Sequence, residues 1–265
     1  MNQNLYQRAE LCLLSNSIGE KSDCLQQLVR DWQNGEVSRD PLEVKKIEQP
    51  GRPALPVMVR PRDLPRRKIT SREGHAALIH SICHIEFNAI NLALDAVYRF
   101  QSMPDRYYSD WLQVAEEEAY HFILLSTHLQ ELGYAYGDFP AHNGLWEMTL
   151  ETDHDPLVRM ALVPRVLEAR GLDVTPGIMK KLESIGDSAA IEILKIIQHD
   201  EVGHVEIGSR WFHFLCAQRE LDTEQTFQAL LEEYMKGSVK GPLDREARLR
   251  AGFSEAELDY LEGIG

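Results

Sequence analysis

The sequence predicts an all-α protein. Apolar residues recur at i, i+3, i+4 and i+7 over four long stretches. Proline and glycine fall between those stretches more than within them. No segment alternates apolar and polar residues long enough to make a sustained strand. The expected architecture is a four-helix bundle with a long crossover and additional N- and C-terminal helical segments.

Two short amphipathic helices are expected at residues 4–17 and 21–34, separated by a Ser/Gly-containing break. Residues 48–68, "EQPGRPALPVMVRPRDLPRRK", contain five prolines, which exclude a continuous helix. This stretch is expected to be extended and to wrap the surface. The first long helix spans 72–102 and ends before Pro104. The second runs from 105 to 132 and stops at Gly133. Residues 133–155 are too irregular and aromatic-rich for one regular helix and read as the crossover. The third helix spans 155–170, with Pro164 expected to kink it. "GLDVTPG" is expected to break the chain at Gly171, and a short helix follows to Ile185. Asp187 or Ser188 caps a fourth long helix that reaches Arg219. A C-terminal helix covers 223–236, and "SEAE" from Ser254 has the capping-box pattern. The domain expectation is residues 1–70 as N-terminal helices and wrapping segment, 71–220 as the bundle, and 221–265 as a helical extension.

The apolar stripes carry the functional signal. Each long helix has a glutamate on the face that should point into the core: Glu86, Glu118, Glu168 and Glu201. Two of these begin Glu-x-x-His pairs, with His121 and His204. Residues three apart on a helix are surface neighbours, so both side chains of such a pair can reach one ion. Glu86 precedes Glu118 by 32 residues and Glu168 precedes Glu201 by 33, which reads as one helical hairpin used twice. A lone Glu-x-x-His is a weak signal, because most are solvated faces. Two of them, each joined to a lone core-facing Glu at matching distance, make a specific one. Four carboxylates and two imidazoles suit two first-row metal ions, and a donor set without thiolate favours iron or manganese. Four negative charges also balance two divalent cations, which makes the carboxylates tolerable in a core. Fe/Fe is the expected pair, with Mn/Fe and Mn/Mn compatible with the same donors. Glu117 and Asp200, each next to a ligand glutamate, are candidates to accept the second ring N–H of a ligand histidine.

Composition narrows the partners. With 28 basic and 42 acidic residues the net charge is −14, so nucleic acid is not an expected partner. "RPRDLPRRK" and Arg72 are locally basic, and a salt-bridged surface strip is the favoured explanation. No run of uninterrupted apolar residues is long enough for a spanning helix, and no signal peptide is read at the N-terminus. Cys12, Cys24, Cys83 and Cys216 form no C-x-x-C pair, and reduced thiols in a cytoplasmic protein are expected.

The signatures "HIEFNAI", "EEEAYHF", "EARGLDVTPG" and "DEVGHVEIG" resemble the ferritin-like superfamily of di-iron carboxylate proteins. They are most similar to an uncharacterised bacterial ferritin-like family. The resemblance covers residues 70–220, with a weaker match in "GPLDREARLRAGFSEAEL". It implies Glu86, Glu118, His121, Glu168, Glu201 and His204 as ligands, and all six positions are filled as that superfamily requires. The function it suggests is a non-haem di-iron oxidoreductase that uses O2 to oxidise an organic substrate, with an external electron donor. Iron handling (ferroxidase, peroxide removal or storage) is the first alternative. A non-catalytic, metal-stabilised binding module is the second. Beyond the ligands, His80, His84 and Trp146 are expected to be satisfied core residues, as is Tyr120, and His128 to line the core or a channel.

Overall fold

The computed structural model describes residues 3–235 and 241–264. They are predominantly helical, with only two short paired strands, Gln3–Asn4 and Val37–Ser38. The chain folds as two compact units that divide between Leu150 and Glu151. The division falls inside the stretch expected to be the crossover.

The first unit contains α1 (Leu5–Leu14), α2 (Ile18–Gln33), α3 (Arg72–Arg99), α4 (Asp105–Glu131) and all but the last residue of α5 (Gly144–Glu151). Asn4, Ser17 and Ser71 cap the first three through side-chain oxygens on orphan backbone N–H groups. α1 stops where buried Lys21 takes over its last carbonyls. The ammonium donates to Cys12 O at 3.0 Å, Leu13 O at 2.7 Å and Asn91 Oδ1 at 2.8 Å. The cost of burying it, with no carboxylate among these partners, lowers the Lys21 pKa to about 7. α3 and α4 pack on each other, with α1 against α3 and α2 against α4. α3 is long and apolar enough to cross a membrane by length and composition, yet 78% of its most apolar window is buried within the fold.

The proline-rich segment is tied down along its length. Val59 N donates to Ala141 O and Ala141 N to Val57 O, while Trp146 Nε1 donates to Glu48 O. Some of its basic residues are engaged in ion pairs or ring contacts. Arg60 pairs with Asp63, Arg67 pairs with Glu73 and stacks on Phe139, and Arg72 stacks on Tyr134.

One expectation fails here. Cys12 and Cys24 form a disulfide that joins α1 to α2, and only Cys83 and Cys216 are free thiols, both buried. The spacing of 12 residues hid the pair. It becomes close only when the chain turns back between α1 and α2.

The second unit contains α6 (Pro156–Leu162), a π-helical stretch Val163–Glu168, α7 (Ala169–Glu183), α8 (Ser188–Gln218), α9 (Thr223–Tyr234), α10 (Arg245–Arg250) and α11 (Glu255–Gly263). The expected break at "GLDVTPG" does not occur, because the helix continues through Gly171 and Pro176 to Glu183. Tertiary contacts override the local propensity. Leu172 and Thr175 are buried, and Asp173, whose side chain is fully covered, receives the Arg248 guanidinium at 2.8 and 2.9 Å. α7 and the π stretch pack on α8. Asp187 caps α8 through Ala190 N, and both bonds of the Ser254–Glu257 capping box are present. The last residue of the helix expected at 223–236 lies outside the described residues.

Candidate metal centre

In the first unit Glu86 comes from α3, and Glu118 and His121 from α4. All three are buried, at 3%, 1% and 0% exposure. Each offers a ligand atom, and these atoms all lie within 4.8 Å of one another. His121 Nδ1 is 3.2 Å from Glu86 Oε2 and 3.5 Å from Glu118 Oε2. An octahedral ion with bonds of about 2.1 Å sets neighbouring donors about 3 Å apart and opposite donors about 4.2 Å apart. The spacing of the three donors therefore has room for one metal ion with little movement.

Burial and mutual charge dominate the electrostatics of the cluster. Burial, reinforced by the neighbouring Glu118 carboxylate, raises the Glu86 pKa to about 8. Burial alone would lower the pKa of His121. Its contacts with Glu118 and Glu86 outweigh that and raise it to about 12. A proton on His121 thus supplies positive charge where a cation would supply more. A metal ion held by these three residues would displace that proton.

In the second unit Glu201 and His204 lie on α8, at 9% and 1% exposure, with Nδ1 3.9 Å from Oε2. Glu168 closes the π-helical stretch and is half-buried. Among the described residues it joins no cluster of three whose ligand atoms all lie within 4.8 Å.

The π stretch has a clear cause. Pro164 has no N–H to give an α-helical bond. Ala169 N bonds back five residues to Pro164 O, which is π spacing. Pro164 is seated against α8 at Gly208, where an added Cβ would lie 2.4 Å from the proline ring. Arg165, three residues before Glu168, is fully buried. Its guanidinium meets both Glu257 oxygens at 2.8 Å and Ser209 Oγ at 3.1 Å. It also stands 4.2–4.8 Å from the ring centres of Phe212, Phe227 and Phe253. Arg248 reaches the Arg165 carbonyl at 3.4 Å. The C-terminal helices thus clamp the turn that carries Glu168. Sequence reasoning missed this clamp. Its one visible trace is a lone arginine inside the apolar run "MALVPRVL".

Glu117 accepts a hydrogen bond from Gln113 at 2.9 Å, and Asp200 is half-buried beside Glu201. His84 is held between Tyr136 Oη at 2.8 Å and His142 O at 3.1 Å, and His80 Nε2 accepts from Gly137 N. Both rings are buried structural groups, as expected. So is Trp146, whereas Tyr120 is 49% exposed and not a core residue. His128 is buried, with Nδ1 3.3 Å from Glu131.

A family model described as "Protein of unknown function (DUF455)" matches residues 14–259. An "Uncharacterized protein" of Haemophilus influenzae is 50% identical over 216 residues, which cover 79% of this chain and 75% of that protein. No solved structure matches the chain.

Proposed function

The chain belongs to the DUF455 family, and from that premise we propose that it is a ferritin-like di-iron oxidoreductase acting on a small organic substrate with O2. One observation carries the proposal: the buried, mutually contacting cluster of Glu86, Glu118 and His121. A cluster of that kind is costly to bury without a cation. The matching Glu168, Glu201 and His204 complete a set of six ligands by the repeat in the sequence. The two metal ions, when bound, supply the redox chemistry. The chain's own residues hold them, and the burial of Glu86, Glu118 and Glu201 keeps water from those carboxylates. Iron is the proposed metal, with Mn/Fe and Mn/Mn accepted by the same donors. An external electron donor and a cytoplasmic location belong to the same proposal.

The test is anaerobic loading with Fe(II) followed by O2 in a stopped-flow spectrometer. Transient visible absorption, abolished in Glu118→Ala, supports the oxidoreductase. Steady consumption of Fe(II) with no need for a reductant or organic substrate favours iron handling instead. Absence of any oxygen-dependent change contradicts both.

A further inference from the structure

His199 and Gly203 belong to "HDEVGHVEIG", yet neither is a metal ligand in the proposed set. Both line an open concavity of about 460 Å³ on the second unit, together with Lys195, Gln198, Val202 and Arg250. The first five form one stripe of α8, at i, i+3, i+4, i+7 and i+8, and Arg250 comes from the end of α10. No acidic residue lines the concavity, although the protein carries a net charge of −14.

The fate of the α10 arginines sets Arg250 apart. Arg245 is consumed by Glu255, Asp259 and Glu262, and Arg248 by Asp173. Arg250 and His199 make no ion pair among the described residues. Lys195 pairs only with Glu192 from its own helix, at 2.7 Å, with both side chains exposed. Such a pair is weak and gives way to a better anion.

Gly203 adds no side chain to the wall of the concavity. A glycine inside a helix costs stability and needs a reason. Gly208 has one, in the close approach of Pro164. Gly203 has open surroundings, as Gly171 and Gly177 of α7 do, and an added Cβ would meet nothing within 4 Å. Its effect is to leave the concavity open beside three basic groups and a primary amide.

We infer that this concavity binds a small organic phosphate monoester. Arg250 and Lys195 meet the phosphoryl oxygens, and Gln198 and His199 offer further donors. The volume is far larger than a phosphate group and lies in the range of small-ligand sites. Val202 supplies an apolar surface for the organic part. The inference does not depend on the metal reading.

The experiment is isothermal titration of the full chain with inorganic phosphate and with ribose 5-phosphate, against sodium chloride at matched ionic strength. Saturable binding at one site per chain is expected, with ribose 5-phosphate at least as tight as inorganic phosphate. Arg250→Gln is expected to weaken it at least about tenfold, the loss of one charged hydrogen-bonding partner. Gly203→Leu should narrow the concavity beside His199 and Gln198 and weaken binding with the melting temperature maintained. Neither variant touches a proposed metal ligand, so phosphate held by a metal would survive both. No saturable heat, binding that either variant leaves unchanged, or weaker binding of the organic phosphate would overturn the inference.

Discussion

The two units present the same pattern, Glu followed by Glu-x-x-His, in two physical settings. In the first unit Glu86, Glu118 and His121 sit on uninterrupted α-helices and close into a tight buried cluster. In the second, Glu201 and His204 sit on a regular helix, but Glu168 sits on a π-helical turn and is half-buried. Straight helices place the first set by periodicity alone. The second set depends on a proline, a facing glycine and a buried arginine clamp. A shared ligand pattern is thus compatible with unequal local stability. The second unit is the one that remote substitutions should disturb.

The largest effect expected from this contrast is in the clamp. Glu257→Ala leaves the Arg165 guanidinium buried without its carboxylate, which costs about 3–5 kcal/mol. Chemical denaturation of the variant should lose that much, and Glu257→Gln should lose less. A cost under about 1 kcal/mol would mean that the clamp does not hold the turn.

Acid should act on the first unit. Burial lowers the pKa values of His80 and His84 to about 4 from 6.5. Their folded values lie below the unfolded ones, so the stability they contribute is present above pH 6.5 and is lost as pH falls toward 4. Each ring accounts for roughly 3 kcal/mol at most across that window. A double His80→Gln, His84→Gln variant should show a flatter stability profile between pH 6.5 and 4.

The disulfide gives a comparable effect in the same unit. Opening a loop of this length costs roughly 2–3 kcal/mol. Thiol titration of the unfolded, unreduced protein should find two free cysteines, Cys83 and Cys216, and a count of four would remove the cross-link.

The smallest expected effects again separate two features of the second unit. Gly208→Ala forces a methyl group against Pro164 and should cost about 1–3 kcal/mol. Gly177→Ala, with open space around its Cβ position, should gain up to about 1 kcal/mol. Equal effects at the two positions would show that the proline contact is not tight.

What the sequence revealed follows the same division. Long regular helices announce themselves by period, so Arg72–Arg99, Asp105–Glu131 and Ser188–Gln218 were legible to within a few residues. The Asp187 cap and the Ser254 capping box were legible because capping is local. The continuous helix through Pro176 was not. Its support comes from α8 and from Arg248, 75 residues away. The Cys12–Cys24 bond escaped for a similar reason. The six candidate ligands could be named from their period, but the clamp on Glu168 could not. Aromatic rings from three separate segments surround Arg165, and no spacing rule links them.

The central claim is that the candidate ligands hold two metal ions. The most direct measurement is metal content per chain, by mass spectrometry, of protein purified without added metal and then loaded anaerobically with Fe(II). The account predicts about two ions per chain in the natural sequence. It predicts fewer in Glu118→Ala and in His204→Ala, with a loss of metal-dependent thermal stabilisation in both. Less than about a tenth of an ion per chain, with unchanged melting on adding iron, would contradict it.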